Sequence, residues 1–144
     1  MARRTRQQKY PDNEYFHFHN ENPKNRITGD CRIRALATAC ERPYNQIVMD
    51  LAVIQIKTGY DQTQHDAIAI ELDRLGWSMH KQPRKWDNTK YTVKEFIDEF
   101  VEHDKRYFVG IAGHDFAIVN GKVWDIWDVP RVSNNVVGNY WTKE

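Results

Sequence analysis

The sequence predicts an α+β fold in which N-terminal helices pack on a C-terminal antiparallel sheet. Three observations lead there. Apolar residues at helical spacing are confined to residues 31–101. β-type runs follow from Arg106 onward. Between two of those runs sits Asn120-Gly121, the strongest short hairpin signal. Helices first and strands afterwards make a segregated α+β architecture. A chain of 144 residues fits one compact domain with a real core.

The elements follow in order. Residues 1–9, with Arg3, Arg4, Arg6 and Lys9, read as a flexible basic tail, and residues 10–144 as the single domain. Residues 10–30 form an irregular arm with a short strand near Tyr15–Phe18. Residues 31–40 read as a helix rich in Ala, and Pro43 marks the turn after it. A second helix runs from about Tyr44 to Lys57, and Gly59 stops it. A third covers about Gln64 to Leu75, broken by Gly76. A short strand at 77–80 and a polar loop at 81–90 come next. Thr92 with Glu95 three positions on is a capping-box pattern opening a helix to about Val101. Strands are expected at 106–112, 115–119 and 122–127, with an edge strand near 139–141 in an irregular end.

Composition excludes several function classes. With 21 basic and 20 acidic residues, the net charge of +1 gives no whole-protein case for nucleic acid or membrane binding. Only the tail is a candidate contact for phosphate or an acidic partner. No apolar run reaches the length of a membrane span, and no hydrophobic stretch follows the N-terminal basic residues as in a secretory signal. Cys31 and Cys40 on one helix lie roughly 13 Å apart along its axis, too far for a disulfide. Free thiols predict a reducing, cytoplasmic setting. There is no phosphate loop, dinucleotide fingerprint or zinc-finger spacing, so no cofactor or metal is expected. His17 and His19 alternate as in a strand, but a pair without a third ligand reads as structural.

The chemistry centres on Cys31. It follows Thr28-Gly29-Asp30 at the start of a helical pattern, and the partial positive charge of a helix N-terminus favours thiolate over thiol. His114 opens a later strand and can take the thiol proton. An acid must hold that imidazole in one tautomer. With a two-residue turn at 120–121, His114 and Asp125 share a face as diagonal neighbours, Cα atoms roughly 7–8 Å apart. A three-residue turn puts Asp128 opposite His114 instead. Cys40, deeper in the same helix among alanines, reads as core.

Thiol, His and acid in this chain order resemble a papain-fold cysteine peptidase of reduced size. Asp125-Ile126-Trp127 is similar to the family's Asn-Ser-Trp segment, with Asp in place of Asn. That resemblance implies Asp125 as the orienting acid and Trp127 packed over the His–acid pair. It implies an oxyanion-hole side chain six positions before the nucleophile, where Asn25 stands, with the backbone N–H of Cys31 as second donor. Asp30-Cys31 also resembles the double-glycine leader peptidases. Thr28–Ala35, Ala112-Gly113-His114 and Asp125–Asp128 together resemble small uncharacterised bacteriophage proteins. Arg32 stands where relatives commonly carry Gly, and anionic Asp30 would raise the thiol pKa unless spent as a helix cap.

The leading expectation is therefore acyl transfer on a protein or peptide substrate by Cys31, His114, Asp125 and Asn25, in a host cytoplasm if the chain is phage-encoded. The alternatives are a papain-like scaffold whose thiol is unused, acting as a protein-binding or inhibitory module, and nucleic-acid binding through the basic tail.

Overall fold

The computed structural model describes residues 3–143. Helix α1 spans Arg6–Lys9, β1 Phe16–Phe18, α2 Cys31–Cys40, α3 Tyr44–Thr58 and α4 His65–Arg74. Then come β2 Trp77–His80, α5 Val93–Glu99, β3 Tyr107–Ile111, β4 His114–Val119, β5 Lys122–Asp125, α6 Val129–Val132 and β6 Tyr140–Lys143. The α+β class stands, with six strands in one sheet ordered β1-β5-β4-β3-β6-β2.

The sheet departs from the expected one in three ways. It is mixed, because β1 from the N-terminal arm pairs parallel with β5. The C-terminal strand β6 is interior, hydrogen-bonded to both β3 and β2. Both faces are also covered. Phe108, Ala117 and Val119 pack with α2, α3 and α4. Val109, Phe116, Ile118 and Val123 pack with α5 and Val129 of α6 on the other side. A strand covered on both faces reads as a continuous apolar run, and Phe116-Ala117-Ile118-Val119 is one.

Helix α2 lies across β4 in the middle of this sheet. Its residues Ile33 and Ala35–Ala39 are buried, which anchors its N-terminus at the strand ends. The capping box at Thr92 forms as expected, with Thr92 accepting from the Glu95 N–H and Glu95 from the Thr92 N–H. The expected tail is not free along its length. Residues 6–9 make α1, capped by a second box between Thr5 and Gln8. Met1 and Ala2, also assigned to that tail, lie outside the described residues.

The hairpin takes the two-residue turn. Val119 pairs with Lys122 and Ala117 with Trp124. Asn120 and Gly121 both adopt positive φ, 52° and 73°, as a turn matched to strand twist requires. A Cβ at Gly121 would also meet the His103 ring at 2.7 Å. Gly121→Ala is expected to destabilise the fold by about 1–2 kcal/mol, read as a lower urea midpoint.

Candidate active site

The β4–β5 register carries His114 and Asp125 to one face, and the two side chains meet. His114 Nε2 lies 2.5 Å from Asp125 Oδ2. This leaves Nδ1 for the thiol, and the neighbouring ring draws the Cys31 pKa down. The backbone N–H of Asp115 also donates to the Cys31 sulfur. Asp125 is held from three sides. Its backbone carbonyl accepts from the His19 N–H at 2.9 Å. Its Oδ1 takes the Ile126 N–H at 2.7 Å and Arg34 Nη1 at 2.7 Å.

Asp128 is occupied elsewhere. It caps α6 and binds Asn13 Nδ2 at 2.8 Å and Arg131 Nε at 3.1 Å. Trp127 stands edge-on to the His114 ring, with centroids 5.2 Å apart.

Asn25 is not brought to the thiol. It is exposed, its φ is 53°, and its side-chain oxygen accepts from Asn20 at 3.4 Å. The shape of the Asn22–Asn25 turn accounts for this, since Asn25 N–H bonds back to the Asn22 carbonyl. It does not line the cleft beside Cys31. The N–H of Cys31 itself, at the first position of α2, makes no hydrogen bond among the described residues and is free to donate.

Asp30 does not cap the helix with its side chain. It is spent on Arg34 Nε at 2.8 Å, Tyr44 Oη at 2.7 Å and Asn22 Nδ2 at 3.1 Å. Burial pushes its carboxyl up, but these hydrogen bonds outweigh burial and hold it below the usual range. Its charge is thus matched by Arg34 rather than turned on the thiol. Arg34 is itself buried, 5% exposed, and bridges Asp30 to Asp125.

Arg34 is the functional residue missed from sequence. Its signal was present: a cation between apolar residues Ile33 and Ala35, four residues after an acid. Arg32, the departure after the nucleophile, reaches β4. Its Nε meets buried Asp115 at 2.8 Å, and its Nη1 donates to the Thr63 carbonyl. The pair ties the first turn of α2 to the strand whose N–H touches the sulfur.

The electrostatics favour an ion pair. Burial raises the Cys31 thiol, yet the hydrogen bonds from His114 and Asp115 N–H, with the imidazolium charge, bring it below its ordinary 9.0. Burial works against a charged His114, but Asp125 and Cys31 lift it from 6.5 to about 9. Both shifts favour the charged forms, thiolate on Cys31 and imidazolium on His114.

The thiol opens on a cleft of about 340 Å³, lined also by Thr28, Gly29, Gly113 and Trp127. Elsewhere, His17 pairs with Asp12 at 2.6 Å, His19 with Glu21, and both rings pack on Trp124. Among the described residues no group of three His, Cys, Asp or Glu side chains converges on a metal position. Among the described residues no helix is long and apolar enough to cross a membrane.

Two outcomes are expected. Arg34→Ala leaves two buried carboxylates facing each other and costs about 3 kcal/mol in chemical denaturation. The His114 ring, followed by NMR, titrates near 9, and Asp125→Asn lowers that value. Because the folded value lies above the unfolded 6.5, the stabilisation from a charged His114 is complete below pH 6.5 and is lost as pH rises through about 9.

No family model matches the chain, and neither a curated protein nor a solved structure matches it, so the site is read from its geometry.

Proposed function

We propose that this chain is a cysteine-nucleophile acyl-transfer enzyme, of peptidase, amidase or deamidase type, acting on a protein or peptide. One observation carries the reading. A thiol lowered by a hydrogen-bonded His114 lies beside a cleft, and that His is oriented by a buried Asp125. Structural thiols lack such partners.

The chemistry follows from the contacts. The Cys31 thiolate attacks a carbonyl carbon, forming the C–S bond while the carbonyl electron pair moves to oxygen. The Cys31 N–H at the positive end of α2 faces that oxyanion. Collapse re-forms the carbonyl and breaks the bond to the leaving group, which takes the proton from His114 Nδ1. Water then gives its proton to the neutral ring and attacks the thioester. This releases the acid and restores the ion pair. Asp125 holds Nε2 and so keeps Nδ1 turned to the sulfur.

The papain-like kinship and a phage setting belong to the same proposal. They are supported by the meeting of three separated blocks, Thr28–Ala35, Ala112-Gly113-His114 and Asp125–Asp128, around one cleft.

Three measurements test it. Iodoacetamide at neutral pH should label Cys31 at least tenfold faster than Cys40, whose thiol burial pushes up to about 12. The preference should collapse in His114→Ala. p-Nitrophenyl acetate should acylate Cys31 in a burst and turn over slowly, with Cys31→Ala inert. Equal labelling of the two cysteines, or no acyl adduct, would exclude the mechanism. On an amide substrate the rate should fall as pH rises through about 9, where His114 loses the proton the leaving group needs.

A further inference from the structure

The cleft beside Cys31 holds one cation that the acyl-transfer mechanism does not use. Arg6, from α1, lines it together with Cys31, His114 and Trp127. Its side chain is half-buried and fixed at two points. Nε donates to the Ile126 carbonyl at 2.6 Å, and the guanidinium carbon sits 5.4 Å from the Tyr10 ring centroid. Tyr10 is itself buried. Among the described residues neither Nη1 nor Nη2 of Arg6 has a hydrogen-bond or ion-pair partner.

The other arginine lining the cleft differs. Arg34 is buried and spends Nε and Nη1 on Asp30 and Asp125. The remaining cations of the N-terminal segment, Arg3, Arg4 and Lys9, are exposed and do not line the cleft. Among the described residues no Asp or Glu lines it either.

A cleft with an anchored guanidinium, two unused donors and no acidic wall is built to receive an anion. A guanidinium fork matches a carboxylate in two parallel hydrogen bonds, which a lysine does not reproduce. Holding Nε on a backbone carbonyl fixes the fork before anything binds, so little side-chain entropy is lost on binding.

We infer that Arg6 determines specificity by binding a carboxylate that the substrate carries close to its reacting carbonyl, as an acidic side chain of a polypeptide does. This rests on the acyl-transfer reading of Cys31. Arg6 acts as a binding residue: it exchanges no proton and makes no bond to the reacting carbon.

Iodoacetate and iodoacetamide separate the two claims. In both, the thiolate sulfur displaces iodide and forms a C–S bond, but only iodoacetate carries a carboxylate. The rate ratio of iodoacetate to iodoacetamide at Cys31, normalised to a small free thiol, should exceed one. It should fall about tenfold in Arg6→Gln, the loss of one charge-assisted pair, and lie between in Arg6→Lys. In the wild-type protein, millimolar succinate should slow iodoacetamide labelling of Cys31. The α-p-nitrophenyl ester of N-acetylglutamate should turn over faster than its glutamine counterpart.

A ratio unchanged in Arg6→Gln, or no succinate protection of the wild-type thiol, overturns the assignment while leaving a reactive Cys31 intact. Equal turnover of the two esters overturns the acidic side chain as the carboxylate's source. A Cys31 no more reactive than Cys40 toward either reagent overturns both readings together. Should Arg6→Gln fail to fold, the succinate and ester measurements on the wild-type chain decide.

Discussion

The arrangement depends on a buried guanidinium. Arg34 sits between two carboxylates, Asp30 and Asp125, at 2.8 and 2.7 Å. Extended through His114 to Cys31, the row alternates acidic and basic groups: Asp30, Arg34, Asp125, His114 and the Cys31 thiol. Each member offsets the desolvation of its neighbours, which would otherwise drive the groups neutral. Without Arg34, Asp30 and Asp125 would be like charges in a low-dielectric interior. Asp30 would then act on the thiol one residue away and oppose ionisation. The cation converts that liability into a support. It also joins α2 to β5, because Asp30 belongs to the helix N-cap and Asp125 to the strand end.

The same network explains why the site sits where α2 meets the sheet. The helix is held by apolar contacts along its length and by two ion pairs at its start, Arg34 to Asp125 and Arg32 to Asp115. Rotation of its first turn would break both. The sulfur is therefore fixed relative to the His114 ring by residues on three elements, α2, β4 and β5. Catalytic geometry requires that kind of pre-organisation. The parallel strand β1 adds a fourth constraint through the His19 N–H on the Asp125 carbonyl.

Local chemistry made much of this readable from sequence. The Asn120-Gly121 turn sets the register, which brings Asp125 rather than Asp128 to His114, the acid that the family resemblance had favoured. The Thr92–Glu95 box and the helical spacings of α3 and α4 are likewise local signals. What escaped depends on contacts far along the chain. β6 is interior because β2 and β3, some 60 and 30 positions upstream, flank it. Arg6 meets Ile126 across 120 positions, and nothing in a run of basic residues marks which of them docks. Asn25 satisfied a spacing rule taken from the resemblance to papain-fold peptidases. Here the arm before α2 turns differently, and the spacing no longer places the side chain at the thiol.

Cys40 supplies an internal comparison. Both cysteines lie on α2, are half-buried and are uncrosslinked. One stands at the N-terminus of the helix and the other at its end. Cys31 has an imidazole and a strand N–H as hydrogen-bond partners, and its thiol is drawn down. Cys40 has burial against it, with the Glu71 charge adding to it, and its thiol is pushed up to about 12. Glu71 is fully buried, held by Arg74 at 2.7 Å, with one carboxyl oxygen left unpartnered. Burial alone therefore does not account for the state of Cys31, since it acts in the same direction on both thiols. The difference lies in what the sheet brings to each end of the helix. At the N-terminal end β4 and β5 deliver an imidazole and the carboxylate that hydrogen-bonds it. At the other end α4 delivers a carboxyl group, which favours a protonated, inert sulfur.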